Sequence, residues 1–296
     1  MCPKMELKDM RRRLFKLLLA STLLLSMMGV VGGCNGRLPM PAEDETKTDS
    51  SENADTLVAD TVADLVDDAP LPKAVDELFD DFFFNFAGNH KMQLSRIQFP
   101  LPIHKDGTTA MLERRQWKFS YFFMSAGYYT MLFDNEAQDS LTKSTAVSHA
   151  TVEKLYLNEN LMKLYDFERI NGEWRLTSVT HARVGDHSCA SFLHFYEQFA
   201  SDTVSQVRSL DNFVVMTAPD DDEDFEELTG SIMPEQWPTF KPEIIPEGII
   251  YCVNYGQTYS DASQKVLFVR GIANGLNTVL TFQRKNNGWK LVKFRV

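Results

Sequence analysis

An internal repeat constrains the fold of this chain more than any other feature. Phe79, Phe82, Phe83 and Phe86 recur at intervals of three and four residues, which places them on one face of a helix that needs a core to cover it. A second copy lies 113 residues later, at Phe192, Phe195, Tyr196 and Phe199. The ends of the copies agree at a constant shift of 115, which relates Phe167, Arg169, Asn171, Trp174 and Leu176 to Phe282, Arg284, Asn286, Trp289 and Leu291. We therefore predict that the chain is duplicated.

Each copy ends in a pattern typical of antiparallel strands. Strands are predicted at 151–157, 161–169 and 174–184 in the first copy and at 264–272, 278–284 and 289–296 in the second. Asn-Gly pairs at 171–172, 274–275 and 287–288 supply residues that tolerate positive φ, as tight hairpins require. Each copy is thus predicted to be α+β, with a helix first and a meander last.

Four residues separate Arg169 from Trp174, and the same number separates Arg284 from Trp289. If each loop closes a hairpin, the guanidinium group faces the indole across the two strands. Such a stack contributes about 0.5 to 2 kcal/mol. Its recurrence at one place in both copies favours a structural role over ligand recognition.

The first 33 residues resemble a bacterial lipoprotein signal peptide. Three arginines at 11–13 precede an apolar stretch at 14–31, an order typical of secretion signals. A transmembrane helix is the less favoured alternative, because Lys16 leaves an apolar run of about fifteen residues, short of the roughly twenty that cross a bilayer. Val31-Gly32-Gly33-Cys34 resembles a lipobox, which implies thioether attachment of diacylglycerol to the Cys34 thiol, cleavage before Cys34, and acylation of the new amino terminus by a chain such as palmitate.

Residues 34–71 are rich in Asp, Glu, Ser and Thr and contain no aromatic residue, so we predict a disordered acidic tether. An export or docking signal in this segment is the alternative. Asn35 directly follows Cys34, and at this position it resembles the residues that permit transport of a lipoprotein to the outer membrane. The whole chain carries a net charge of −11, and removal of a leader of charge +4 leaves −11 − 4 = −15. We find no basic patch outside the leader, so nucleic acid is not an expected partner.

The Phe-rich first helix, the terminal sheet and the ending Asn171-Gly-x-Trp174-Arg175-Leu176 resemble the cystatin-like α+β fold of nuclear transport factor two and ketosteroid isomerase. The duplicated form behind a lipobox resembles a family of unknown function in lipoproteins of gut Bacteroidota. The resemblance implies two tandem domains, 72–187 and 188–296, each with an N-terminal helix packed on a curved antiparallel sheet. It also implies a cone-shaped pocket in each.

Cysteine and histidine residues near the junction of the copies leave two questions open. Cys189 and Cys252 could form a disulfide in an oxidising envelope or remain two buried thiols. His181, His187, Cys189 and His194 match no metal-binding spacing that we recognise, so neither a metal nor another cofactor is predicted. The acidic run at 220–224 has Phe225 and Ser231 where an EF-hand needs Gly and Glu, which favours a solvated loop.

Enzymes that resemble this fold use Asp, His or Tyr inside the cone, and burial tunes such groups as proton carriers. Tyr128, Tyr129, Asp134 and Tyr165 are the candidates for this role, but none lies in a recognisable motif, so no catalytic residue is assigned. Tyr129, Asp134 and Tyr165 are the ligand-binding candidates. We expect a lipid-anchored cell-envelope protein, attached to the outer membrane, that binds a small apolar ligand, a peptide or an envelope protein without catalysis. The alternative is an isomerase or hydratase that uses one cone.

Overall fold

The two Phe-rich segments form the longest helices among the residues that the computed structural model describes, which are 73–219, 227–285 and 288–296. They are α1 (Phe79–Gly88) and α3 (Ala190–Ser201). Each is followed at once by a shorter helix, α2 (His90–Arg96) or α4 (Thr203–Arg208). A side chain caps each shorter helix: Asn89 accepts a hydrogen bond from the Met92 N–H (3.0 Å), and Asp202 accepts one from the Ser205 N–H (2.7 Å). The repeated helical pattern therefore gives a repeated pair of helices.

The remaining elements are mostly strands. A four-residue helix, α5, spans Trp237–Phe240, and short 3-10 helices lie at Lys73–Asp76, Arg114–Gln116, Met124–Ala126, Glu136–Lys143, Leu157–Glu159, Val184–Asp186 and Pro234–Gln236. The strands of the first half are β1 (Leu101–Lys105), β2 (Thr108–Leu112), β3 (Tyr128–Phe133), β4 (His149–Tyr156), β5 (Leu161–Ile170) and β6 (Glu173–Arg183). Those of the second half are β7 (Leu210–Pro219), β8 (Glu227–Ile232), β9 (Ile249–Asn254), β10 (Gln264–Gly271), β11 (Asn277–Lys285) and β12 (Gly288–Arg295).

All strands of the described residues belong to one sheet, and its two halves exchange a strand. The order is β2-β1-β6-β5-β4-β9-β3-β10-β11-β12-β7-β8. β9 of the second half pairs with β4, whereas β3 of the first half pairs with β10, and β3 and β9 lie side by side. The sheet has no break between the halves, so the predicted tandem domains at 72–187 and 188–296 are not confirmed as separate bodies.

The sheet separates two hydrophobic cores, one on each face. Alternate residues of a strand point to opposite faces, and β3 shows this directly. Tyr129, Met131 and Phe133 belong to the first core, which α1 covers, and Leu132 belongs to the second core, which α3 covers. β3 is therefore buried on both sides.

The two cores repeat the same contacts. The ring of Phe79 lies 5.5 Å from Phe167 and 5.0 Å from Trp174, and Phe192 lies 5.3 Å from both Phe282 and Trp289. Full burial of one such side chain contributes about 1.5–3 kcal/mol. Buried glutamines match as well, since Gln93 accepts a hydrogen bond from the Trp117 indole and Gln206 accepts one from the Trp237 indole. The duplicated sequence pattern thus corresponds to duplicated packing.

The predicted Arg–Trp pairs are confirmed. Arg169 is directly opposite Trp174 in the β5–β6 hairpin, and Arg284 is opposite Trp289 in the β11–β12 hairpin. The guanidinium carbons lie 5.0 Å and 4.9 Å from the respective ring centroids. The predicted structural role is supported for Arg169, which also donates hydrogen bonds to three backbone carbonyl groups.

The predicted turns are correct in part. Asn171 and Gly172 have φ values of 53° and 85°, as a tight Asn-Gly hairpin requires. In the next predicted turn the positive φ values belong to Ala273 (56°) and Gly275 (75°), while the Asn274 side chain donates a hydrogen bond to the Gly127 carbonyl group. Asn274 thus fixes this turn through its side chain rather than through its backbone.

Several predictions fall outside the described residues. They concern the signal peptide at 1–33, the lipidation site Cys34, the tether at 34–71, the acidic run at 220–224 and the Asn287 turn. Within the described residues, no helix has the length and hydropathy needed to cross a membrane.

Candidate functional site

A half-buried carboxylate and two buried tyrosine residues form a polar network where α1 meets the sheet. Asp80, near the start of α1, accepts hydrogen bonds from the hydroxyl groups of Tyr129 on β3 (3.0 Å) and Tyr255 after β9 (2.5 Å). Burial raises the pKa of Asp80, although both hydrogen bonds and the charge of Arg270 act to lower it. Burial and the Asp80 charge likewise raise the pKa of Tyr129. One predicted candidate, Tyr129, therefore belongs to a polar network with a perturbed carboxyl group.

Arg270 extends this network toward solvent. It lies opposite Tyr129 in the β3–β10 pair and forms an ion pair of 3.0 Å with Asp139. The network joins elements from both halves because strand exchange brings β10 against β3. The position equivalent to Asp80 in the second half is 80 + 113 = 193, which is the buried residue Leu193. The carboxylate of Asp80 thus has no counterpart at the equivalent position of the second half.

Aromatic rings fill the space around the network, where the resemblance implies a pocket. Tyr129 and Tyr255 are only 2% and 3% exposed. The ring of Tyr129 stacks on Phe123 at 5.0 Å, and Phe84 packs edge-on against it at 5.8 Å. Both carboxylate oxygens of Asp80 already accept a tyrosine hydroxyl group. In this arrangement both oxygens of Asp80 are engaged within the protein.

The other candidates from the sequence lie elsewhere. Asp134 accepts hydrogen bonds from the Ser260 hydroxyl group and from the Lys265 ammonium group, both at 2.5 Å, and Lys265 is buried. Tyr165 is 6% exposed and packs against Phe122 at 4.9 Å. Burial raises the pKa of Tyr128, which is half-buried. Tyr129, Asp134 and Tyr165 therefore do not converge on one site.

A row of basic side chains crosses the α1 face of the sheet. Lys154 on β4 is directly opposite Lys163 on β5, Lys163 is opposite His181 on β6, and His181 is opposite Lys105 on β1. We call these four residues the basic row. Each shares its face with a residue of the first core or one packed against it, since Val152, Tyr165, Val179 and Ile103 lie two positions away. The sheet thus collects basic groups that are scattered in the sequence.

Tyrosine rings lie beside Lys154 and Lys163. The Lys154 ammonium group lies 5.0 Å from the Tyr156 ring and 5.3 Å from the Tyr251 ring, and that of Lys163 lies 5.2 Å from the Tyr165 ring. Burial and the charge of Lys154 lower the pKa of Lys163. Burial opposes the charge on Lys154, but hydrogen bonds with Tyr251 and Tyr156 outweigh it and raise its pKa. No carboxylate of the described residues forms an ion pair with either lysine.

Burial is also the main cause that lowers the pKa of His181, followed by the charges of Lys163 and Lys105, while Asp106 acts in the opposite direction. The row was missed in the sequence because its members are separated by up to 76 residues (181 − 105). Strand register alone brings them together. The available signal was Lys at alternate positions with Tyr in 154–156 and 163–165, which puts each pair on one face of its strand.

A second polar cluster lies on the α3 side of the sheet. The His187 Nε2 is 3.6 Å from the Glu153 carboxylate, and its Nδ1 accepts a hydrogen bond from the Cys189 backbone N–H (3.0 Å). This bond places the ring proton on Nε2, facing Glu153. The Cys252 sulfur lies 3.9 Å from the Tyr259 hydroxyl group.

Cys189 and Cys252 are both free and buried in this structure, so the disulfide considered from the sequence is not formed in it. Apolar residues of the second core enclose both thiols, and burial raises the pKa of Cys252. His181 lies in the basic row and His194 is exposed, so the four His and Cys residues near the junction do not converge. Within the described ranges, no group of three or more His, Cys, Asp or Glu residues could hold a metal ion.

Comparisons with known proteins agree with the α+β architecture. A crystal structure of an NTF2-like protein from Bacteroides fragilis NCTC 9343 matches with a TM-score of 0.71 and 36% identity, over 76% of this chain and 98% of that chain. The NTF2-like fold expected from the sequence is thereby confirmed. No curated protein matches the chain. The family model for a domain of unknown function, DUF4348, matches residues 58–296, and the chain therefore belongs to the DUF4348 family.

Proposed function

We propose that this chain is a lipid-anchored cell-envelope protein whose NTF2-like body binds a ligand without transforming it. The observation that carries the non-catalytic part of this proposal is the set of contacts made by Asp80. This carboxyl group, perturbed by burial, has both oxygens engaged by Tyr129 and Tyr255 and lies among packed aromatic rings. General acid–base catalysis needs a titratable group within hydrogen-bond reach of the substrate. Asp80 instead serves to join α1 to the sheet.

The anchoring part rests on the sequence around Cys34. An Arg-rich start, a short apolar stretch and Val31-Gly32-Gly33-Cys34 form the signal. Each buried methylene group contributes about 0.8 kcal/mol, so two or three acyl chains would hold the protein permanently at a membrane. The acidic tether at 34–71 would then separate the folded body from the lipid surface, and the outer membrane is the proposed location.

An isomerase or hydratase remains the second candidate, and one observation favours it. A carboxyl group whose pKa is raised by burial, next to two tyrosine hydroxyl groups, is a combination that proton-transfer enzymes use. In that case Asp80 would exchange one of its tyrosine hydrogen bonds for a bond to the substrate.

Lipid anchoring is tested by metabolic labelling. The full-length chain is expressed with an alkyne analogue of palmitate in a host that processes lipoproteins, beside Cys34→Ala and the control Cys189→Ala. We expect label in the wild type and in Cys189→Ala, and an unlabelled, unprocessed chain in Cys34→Ala. Equal labelling of Cys34→Ala would contradict the anchor.

Binding and turnover are separated by native mass spectrometry. The purified chain is incubated with a bacterial metabolite extract, and any retained molecule is compared with its free form. A binding protein returns the molecule with unchanged mass and unchanged chromatographic retention, the second readout being needed because isomerisation leaves the mass unaltered, and both Tyr129→Phe and Asp80→Asn retain it. Conversion by the wild type that disappears in Asp80→Asn would establish the enzyme instead.

A further inference from the structure

We infer that the basic row, with its tyrosine rings, is the binding site for a small anion that carries an apolar or aromatic group, with a carboxylate or a phosphate as its head. This inference rests on the proposed function and names the class of ligand. The head group would bridge Lys154 and Lys163, and the apolar part would lie against Tyr156, Tyr165 and Tyr251. His181 would form one end of the site.

The first argument is uncompensated charge. Lys154 and Lys163 are a directly opposed cross-strand pair, whose Cβ atoms lie about 4.5–5.5 Å apart in such a geometry. Like charges in this position destabilise a sheet. The protein carries 41 acidic residues against 30 basic ones, yet none of the described carboxylates neutralises this pair. An anion that binds between the two ammonium groups would remove the repulsion.

The second argument is that the scaffold does not require the row. The Arg–Trp pair recurs in both halves, as expected of a structural feature. At the shift of 115 that relates the hairpins, Lys154 and Lys163 correspond to Val269 and Thr278. These two residues are also directly opposed, and both are buried. The same fold therefore accepts an uncharged pair in the second half, and the lysines of the first half need another explanation.

The third argument is the environment of the lysines. Both are half-buried and contact aromatic rings, so their ammonium groups are partly removed from water. Charge interactions strengthen as water is excluded. Tyr156 and Tyr251 are half-buried and offer hydroxyl groups that can donate to an anion. Phe122 continues the apolar surface beyond Tyr165, at a ring distance of 4.9 Å.

The size of the row limits the ligand. Neighbouring strands lie about 4.8 Å apart, so the three adjacent strands that carry Lys154, Lys163 and His181 span roughly 10 Å. Benzoate and phenyl phosphate fit this span, dissolve readily in water and differ only in the head group. Benzyl alcohol is the matched uncharged probe.

The test is calorimetric titration of the processed full-length chain, in neutral detergent, with these three probes. We expect benzoate or phenyl phosphate to bind and benzyl alcohol not to bind, and the preferred head group identifies the anion. Lys154→Gln/Lys163→Gln should weaken anion binding by about tenfold or more, because it removes both charge-assisted contacts to the head group. Lys154→Arg/Lys163→Arg should retain binding, and the exposed Lys143→Gln is the control. Unfolding curves of each variant verify that it is folded.

Two outcomes would overturn the inference: neither anion binds the wild type, or the glutamine double variant binds as well as the wild type does. Failure of the proposed function looks different. If mass spectrometry captures an uncharged ligand that the double variant also retains, ligand binding stands and the basic row is excluded as its site. If the wild type converts a captured ligand while the double variant loses anion affinity, the basic row is supported as an anion site and the non-catalytic function is contradicted.

Discussion

The Tyr255 hydroxyl group donates a hydrogen bond of 2.5 Å to Asp80, across a separation of 175 residues. Tyr255 follows β9, the strand that the second half places next to β4 of the first half. The bond therefore closes the first core with a residue from the second half. Together with the exchange of β3 and β9, it makes the two halves depend on each other for their structure.

Tyr255→Phe should lower the free energy of unfolding by about 1–3 kcal/mol, because it removes a hydrogen bond from a buried hydroxyl group to a half-buried carboxyl group. Urea unfolding should remain a single transition in the wild type and in the variant, since neither half has a complete sheet alone. Tyr121→Phe is the control, because that ring is 43% exposed. Two separated transitions in the wild type would show that the halves unfold independently.

Asp134→Ala tests whether this candidate residue is structural. It leaves Lys265, whose side chain is 2% exposed, without its carboxylate partner. Loss of one partner of a buried ion pair costs several kcal/mol, and the 21% exposure of Asp134 reduces this to about 2–4 kcal/mol. Denaturant unfolding measures the loss, and anion affinity should not change. In the control Asp261→Ala the carboxylate is 75% exposed, so stability should hardly change.

The repeated Arg–Trp pairs allow a matched comparison. Arg169→Gln removes hydrogen bonds to the carbonyl groups of Asp76, Glu77 and Thr145 and should cost about 2 kcal/mol. Arg284→Gln removes an ion pair with the exposed Asp261 and should shift the melting temperature less. Thermal unfolding compares the two variants. Equal shifts would mean that stacking on the indole, which both pairs share, dominates their contribution.

Local periodicity predicts much of this fold. Phe residues at helical spacing indicated α1 and α3, and the Asn-Gly turn at 171–172 fixed which residues face each other across β5 and β6. The exchange of β3 and β9 depends on pairing between distant strands, which no local pattern encodes. The structure shows that β3 is covered on both faces, since five of the six residues in Tyr128–Phe133 are buried.

The candidate sites were harder to predict for the same reason. Tyr129 was a candidate, but Asp80 resembled an ordinary acidic residue on the polar side of an amphipathic helix, and Tyr255 had no distinguishing pattern. The basic row needs the registers of four strands to be known. A sequence shows how residues alternate along one strand, whereas a row across strands is set by tertiary structure.

Anion binding should strengthen as the pH falls, and His181 is the reason. Burial, Lys163 on β5 and Lys105 on β1 hold its pKa below the usual value, with Asp106 opposing, so the free protein carries a neutral ring at neutral pH. A bound anion favours the imidazolium form and raises this pKa. Binding then takes up a proton, and affinity rises as the pH falls from the pKa of the complex to that of the free protein. It should become constant below both values.

Titrations with benzoate at about pH 7.5, 6.5 and 5.5 cover the range in which histidine changes charge. Buffers of different ionisation enthalpy should reveal proton uptake by the wild type, and His181→Gln should bind with an affinity that hardly varies with pH. The control is His194→Gln, which changes an exposed histidine outside the row and should keep the pH dependence of the wild type. If His181→Gln also keeps it, another group takes up the proton, and His181 does not form the end of the site.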